Sequence, residues 1–394
     1  MKHFYFKPFK HTNLNLAVGL FVVAGAALAA MPPVVVQAAP ADEPKQKYIV
    51  VLKESSGKPR DVANEHVRSH KADVSRVYGS ALKGYAAAIP EGRLEALRKD
   101  PRVDFVEPDG IAQASTIQSP ATWGLDRLSQ RYLPLNDKFG YINTGTGVKV
   151  YVIDSGIRAS HGEFGGRVID GVDTIDGALP ADDCNGHGTH VAGTVGGSTY
   201  GVAKNVSLIS VRVLDCNGSG SLSGVIAGID YVTANHVSGK PAVANMSLGS
   251  GASSAVDTAV KNSISKGISY AVAAGNDSSD ACYKSPARVA AAMTIGATDK
   301  TDTRPSWSNY GSCVDWFAPG ADITSAWITD DAVTKTISGT SMATPHTAGV
   351  AALYLQGKPS ASPSTVRSAL YSLTTKDIVR SSKSYNDHLL FTNL

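Results

Sequence analysis

Gly339-Thr340-Ser341-Met342-Ala343-Thr344-Pro345-His346, near the end of the 394-residue chain, places a serine at a glycine-led turn into an apolar, small-residue helix. That helix is expected to run from about Met342 through Ala348, Gly349, Ala352 and Leu353 to Gln356. The turn exposes the Ser341 hydroxyl and aims free N–H groups and the positive end of the helix dipole at any negative charge beside it. A serine in a Gly-Thr-Ser run is most often a helix cap. As a nucleophile it is weak alone, so a catalytic reading requires a base and a group that orients the base.

Candidates for both lie upstream. Val148 to Gly156 is a β-branched run, continuous enough for a buried parallel strand, that ends in Asp154 and a glycine turn. Asn185-Gly186-His187-Gly188-Thr189-His190 opens a second small-residue helix with a glycine-flanked histidine. Aspartate, histidine and serine therefore follow one another in one of the chain orders known for serine triads. Asn276, in Ala273-Ala274-Gly275-Asn276, adds a side-chain amide that with the Ser341 N–H could hold the oxyanion of acyl transfer.

Between these motifs short apolar strands alternate with small-residue helices. Strands are expected at Lys149 to Ile153, Val206 to Val213, Ala242 to Met246, Ile268 to Ala273 and Ala291 to Gly296, with helices near 187–197, 221–237, 254–266 and 341–356. The alternation implies an α/β fold, a mostly parallel central sheet with helices on both faces and ligands at the carboxyl ends of the strands.

Ahead of it lies a different composition. Residues 41–110 carry 13 basic and 12 acidic side chains, whereas 111–394, four times as long, carry 21 and 22. The shift marks a domain boundary. The segment reads as a small α+β unit: strand Lys47 to Lys53, helix Arg60 to Val77, strand Gly84 to Ile89, helix Glu91 to Lys99 and strand Val103 to Pro108. Ile111 to Pro120 reads as an exposed linker. At the start, Lys2, Lys7 and Lys10 precede an apolar run from Leu16 to Ala30 and small residues up to Ala39, the pattern of a secretory signal over 1–38. Those three lysines account for the whole formal charge of +3. The remainder is near neutral, which argues against nucleic acid or an anionic membrane as partner.

Cys184, Cys216, Cys282 and Cys313 all follow the boundary. An even number in a secreted chain, with no Cys-x-x-Cys spacing, favours disulfides over zinc. Three pairings are open. The local one would close loops of about 30 residues, each worth roughly 3–4 kcal/mol in the loop-entropy account.

The three motif segments resemble those of the subtilase superfamily. Trp123-Gly124-Leu125-Asp126-Arg127, Val211-Arg212-Val213-Leu214 and Ser306-Trp307-Ser308-Asn309-Tyr310-Gly311 bring the likeness to the proteinase K subfamily, and within it to aqualysin-like secreted bacterial proteases. The resemblance implies that Asp154 orients His187, that His187 is general base and then general acid, and that Ser341 is acylated. It implies an inhibitory, self-cleaved propeptide at 39–114 and a peptidase domain at 115–394, the whole a monomer after processing. Ser219-Gly220-Ser221 and Ser247-Leu248-Gly249 would be edge strands pairing with extended substrate, while Ala273 to Gly275 would wall a pocket for apolar side chains with no carboxylate to hold Lys or Arg. Structural calcium is implied too, with Asp315 and the carbonyls of Ala290 and Ala292 at one site and Asp126 with Gln130 at another. Asp173, Asp176, Asp182 and Asp183 form an acidic cluster that reads as a solvated loop in preference to a metal site.

The function so implied is a secreted serine endopeptidase of broad, apolar-leaning specificity, made as a self-processing zymogen. A catalytically silent scaffold acting as a secreted binding protein is the alternative, and it would need a damaged triad or oxyanion asparagine; neither is damaged. An α/β-hydrolase esterase would want a Gly-x-Ser-x-Gly elbow and the order Ser-Asp-His.

Overall fold

In a computed structural model of the chain, residues 43–110 and 116–394 are described. The signal segment and the expected propeptide boundary at 114 lie outside them. The chain divides into two units, Met1–Ile111 and Ala112–Leu394.

The first unit comprises β1 (Lys45–Leu52), α1 (Pro59–His70), β2 (Asp73–Tyr78), β3 (Gly84–Pro90), α2 (Glu91–Arg98) and β4 (Val103–Pro108). Its strands form an antiparallel sheet in the order β2-β3-β1-β4. Alternation in β1 turns Tyr48, Val50 and Leu52 inward onto Val62 of α1 and Leu97 of α2. The expected Arg60 to Val77 helix is corrected. It stops at His70 because Lys71 adopts the left-handed conformation (φ 53°), and the chain reverses into β2 against the open edge of β3.

The second unit begins with β5 (Thr116–Gln118), which pairs with β6 (Phe139–Tyr141), so the C-terminal part of the expected linker is a strand rather than free chain. Between them lies α3 (Trp123–Leu128). Then come β7 (Lys149–Asp154), β8 (Val168–Asp173), α4 (His187–Gly196), β9 (Ser207–Arg212), α5 (Leu222–Asn235), β10 (Ala242–Met246), β11 (Ser250–Gly251), α6 (Ser254–Ser265) and β12 (Ser269–Ala273). The chain closes with β13 (Lys284–Ser285), β14 (Met293–Thr298), β15 (Trp316–Pro319), the hairpin β16 (Ile323–Ala326) and β17 (Thr334–Ile337), α7 (Thr340–Gly357) and α8 (Pro363–Leu373). Seven strands form one parallel sheet in the order β15-β14-β12-β10-β7-β9-β8. The five strands and four helices expected from the alternation are all present within a few residues.

The sheet is apolar on both faces, as its uninterrupted strand sequences require. In β7, Val150 and Val152 face a cluster containing Val191 and Val195 of α4 and Ala348, Ala351 and Ala352 of α7. Tyr151 and Ile153 face Val225 and Ile229 of α5 and Val256 and Val260 of α6. Helix α7 is buried almost all round, which its small residues allow. Strand order reverses at β7, flanked by β9 and β10, so a crevice opens at the carboxyl ends of these strands, where Asp154 and Ser247 stand.

Candidate active site

Asp154 ends the central strand and is fully buried. His187 is the first residue of α4, which packs close to the turn after β7 because Gly188 has no side chain: a Cβ there would sit 2.2 Å from the Gly156 carbonyl oxygen. The result is a 2.7 Å contact between His187 Nδ1 and Asp154 Oδ1, which also accepts the Ser155 N–H at 2.8 Å. A carboxylate facing Nδ1 keeps the proton there and leaves Nε2 as the basic nitrogen. Burial pulls the His187 pKa down, but the charge and hydrogen bond of Asp154, with a further contribution from Asp183, outweigh it and leave the pKa above the ordinary histidine value.

The sequence pattern places Asp183 in a solvated loop, and the structure corrects this. The Asp183 carboxylate is buried and accepts from Ser155 Oγ, Asn185 N, Gly186 N, Thr189 N and Thr189 Oγ1, all at 2.7–2.9 Å, clamping the loop that delivers His187. Asp173 likewise is buried and paired with Arg212 at 2.7 Å. Burying a carboxylate is costly unless donors such as these meet its oxygens.

Ser341 lies in the first turn of α7. Pro345 has no N–H to return to the Ser341 carbonyl four residues back. That carbonyl instead accepts Ser247 Oγ at 2.8 Å, while Ser341 Oγ donates to the Ser247 carbonyl at 2.9 Å. The serine is thereby held to the end of β10, and its hydroxyl is turned to Ser247 rather than hydrogen-bonded to His187.

Asn276 follows Gly275, whose φ of +105° suits glycine and where a Cβ would lie 2.4 Å from Asn309 Nδ2. Thr340 then fixes the amide: Asn276 Oδ1 accepts Thr340 N at 2.9 Å and Thr340 Oγ1 at 3.0 Å. With its oxygen so occupied, Asn276 presents Nδ2 to the site. A Cβ built on Gly339 would be 3.6 Å from both Asn276 Nδ2 and Ser341 N, so a glycine leaves open the space onto which both donors border. Thr340 was not singled out in the sequence, although its place beside Ser341 was in view.

Two cavities meet here. One, of about 490 Å³, is bordered by His187, Ser219, Gly220, Ser247, Leu248 and Gly249. The other, of about 320 Å³, is bordered by Ser341, Asn276, Ala273 and Gly275 and shares Leu248, Gly249 and Ser250 with the first. Ser219, Gly220 and residues 247–249 line the groove and pair with no strand among the described residues. The expectation of a pocket without a carboxylate is corrected: Asp277 borders the second cavity, its Oδ2 2.6 Å from Lys284 Nζ.

The cysteines pair locally, Cys184 with Cys216 and Cys282 with Cys313. Among the candidate calcium ligands, Asp126 is fully buried, with Oδ2 accepting the Asn136 and Asp137 N–H groups at 2.7 and 2.6 Å and Oδ1 left without a partner among the described residues. Asp315 differs. Its Oδ2 accepts Thr294 N at 2.8 Å and its Oδ1 is ion-paired with Arg367, so both oxygens are engaged, with Ala290 and Ala292 just ahead of β14. Among the described residues no helix is long and apolar enough to cross a membrane.

Residues 145–387 match the subtilase family, and residues 47–115 match peptidase inhibitor I9. The extracellular serine proteinase of Thermus sp. (strain Rt41A) is 60% identical over 81% of this chain and 77% of its own length. Alkaline serine exoprotease A of Vibrio alginolyticus is 53% identical over 82% of this chain, which spans only 61% of that protein. A solved cold-adapted subtilisin-like serine proteinase is 52% identical with a TM-score of 0.68, covering 70% of this chain and 100% of its own.

Proposed function

The chain belongs to the subtilase family and is a secreted serine endopeptidase with an I9 propeptide domain, and from that premise we propose that Asp154, His187 and Ser341 are its triad, with Asn276 Nδ2 and Ser341 N–H as the oxyanion donors. The observation that carries this assignment is the 2.7 Å contact of His187 Nδ1 with Asp154 at the mouth of the groove that also holds Ser247 and, through it, Ser341. In the reaction the Ser341 hydroxyl leaves the Ser247 carbonyl and turns to His187 Nε2, which takes its proton as Oγ attacks the substrate carbonyl carbon. Charge then develops on the carbonyl oxygen, between Asn276 and the Ser341 N–H, whose geometry is set beforehand by Thr340 and the turn into α7. His187 returns the proton to the leaving amine, and water releases the acyl group by the same route. Ser219, Gly220 and the 247–249 segment offer backbone groups to an extended substrate, a mode that favours broad specificity.

The propeptide is taken as residues 39–114, after a signal over 1–38, and the peptidase as 115–394. Structural calcium is a general feature of the family. Here the buried Asp126 Oδ1, without a partner among the described residues, fits a calcium site completed with Gln130, whereas Asp315 already carries an ion pair with Arg367. The deciding experiment is mass spectrometry of the secreted protein and of Ser341→Ala, with and without a fluorophosphonate. Labelling of Ser341 and retention of the propeptide in the variant are expected; maturation of Ser341→Ala expressed alone would overturn self-processing.

A further inference from the structure

The cavity beside Ser341 is bordered by two opposite charges. Residues 248–251 form one wall and 273–277 the other. Lys284 is tied to the first wall by backbone pairing of β13 with β11, Gly251 opposite Lys284 and Ser250 opposite Ser285. Asp277 continues the second wall beyond Asn276, its N–H held by Asn309 Oδ1 at 3.0 Å. The 2.6 Å ion pair between them joins the walls, and among the described residues bordering this cavity no other is charged. The lysine side chain is 28% exposed and the aspartate 61%. A pair this wet holds its partners weakly, so each charge remains available to a group entering the cavity.

We propose that Lys284 and Asp277 are matched specificity determinants, resting on the reading of this cavity as the seat of the substrate side chain before the cut. Each cancels the other's field. An arginine or lysine of the substrate would gain Asp277 but meet the Lys284 ammonium, and a glutamate would gain Lys284 but meet Asp277. Apolar side chains, which lie against the alanine and glycine walls and the lysine's methylene stem, are therefore preferred by default. Removal of one partner leaves the other as an uncompensated charge on the wall of the pocket, the arrangement that selects side chains of opposite sign.

The test is a set of peptide substrates differing only in the residue before the cut (Phe, Leu, Glu, Arg), assayed as kcat/KM ratios within each enzyme preparation so that the yield of folded enzyme cancels. Lys284→Met keeps the stem and removes the charge; Asp277→Asn keeps the shape. The Arg to Phe ratio is expected to rise about tenfold or more in Lys284→Met, and the Glu to Phe ratio by a similar factor in Asp277→Asn, the scale of one screened charge contact. The double variant should return both ratios to those of the parent. Ratios unchanged within about twofold in both single variants, while all enzymes still cleave the Phe substrate, overturn the inference and leave the protease assignment intact. Failure of the parent enzyme to cleave any substrate, with Ser341 unlabelled by fluorophosphonate, overturns the underlying reading and the inference with it.

Discussion

His187 acts as a base only when neutral, so the direction of its pKa shift sets where activity begins. Asp154 holds the folded value above the ordinary histidine value of 6.5, and a raised pKa moves the acid limb of kcat/KM to higher pH. Asp154→Asn removes that charge and offers Nδ1 an amide that favours the wrong tautomer. The acid limb should therefore move down in pH while kcat falls by about 10⁴-fold, and a pH profile on a peptide substrate with an unmoved limb would deny Asp154 this role. The oxyanion donors are tested separately. Asn276→Ala should lower kcat by about 10²–10³-fold with little change in KM, the size seen for one such donor in a subtilisin. Thr340→Val, which removes the Oγ1 bond to Asn276 but keeps the backbone one, should cost roughly tenfold, in line with one lost hydrogen bond. Equal kcat in Thr340→Val and the parent would show that the backbone N–H alone holds the amide.

Local reinforcement matters most around β13, a two-residue strand that could not persist on its own. The Cys282–Cys313 bridge lies two residues ahead of Lys284 and joins that segment to the chain entering β15. Replacing both cysteines by serine should lower stability by roughly 3–4 kcal/mol, read as a shift in denaturant midpoint. The same variant should raise the Arg to Phe ratio before it loses hydrolysis, because Lys284 is positioned by this segment. In α7 the comparable device is Pro345: by freeing the Ser341 carbonyl it ties the helix start to Ser247, so a residue usually costly inside a helix here sets the nucleophile's place.

At the scale of the whole molecule, calcium that binds only the folded enzyme stabilises it by mass action, by about 2.7 kcal/mol at a hundredfold excess over its dissociation constant. Chelation should lower the inactivation temperature of the mature enzyme. Asp126→Asn should reproduce much of that loss, become indifferent to chelator and keep nearly the full initial rate. Asp315→Asn should also destabilise, by weakening the contacts of this side chain with Thr294 N–H and Arg367, yet remain chelator-sensitive. A chelator response that survives in Asp126→Asn and vanishes in Asp315→Asn would exchange the two assignments.

What the sequence determined by itself was whatever is written within a few neighbouring residues. Continuous β-branched runs such as 148–153 meant buried parallel strands, glycine-led Ser341 and His187 meant helix starts, and the chain order of Asp154, His187 and Ser341 carried the chemistry. Signals failed where a partner decided the outcome. β2 became a strand because β3 left an edge open, and β5 because β6 lay opposite. Only the tertiary structure chose among the three cysteine pairings, turned the Ser341 hydroxyl to Ser247, set Thr340 on Asn276 and brought Lys284 onto Asp277. Each of those is a contact made across the chain at hydrogen-bonding or bonding distance, and such distances are fixed by how the sheet stacks its loops at one end, which no local pattern encodes.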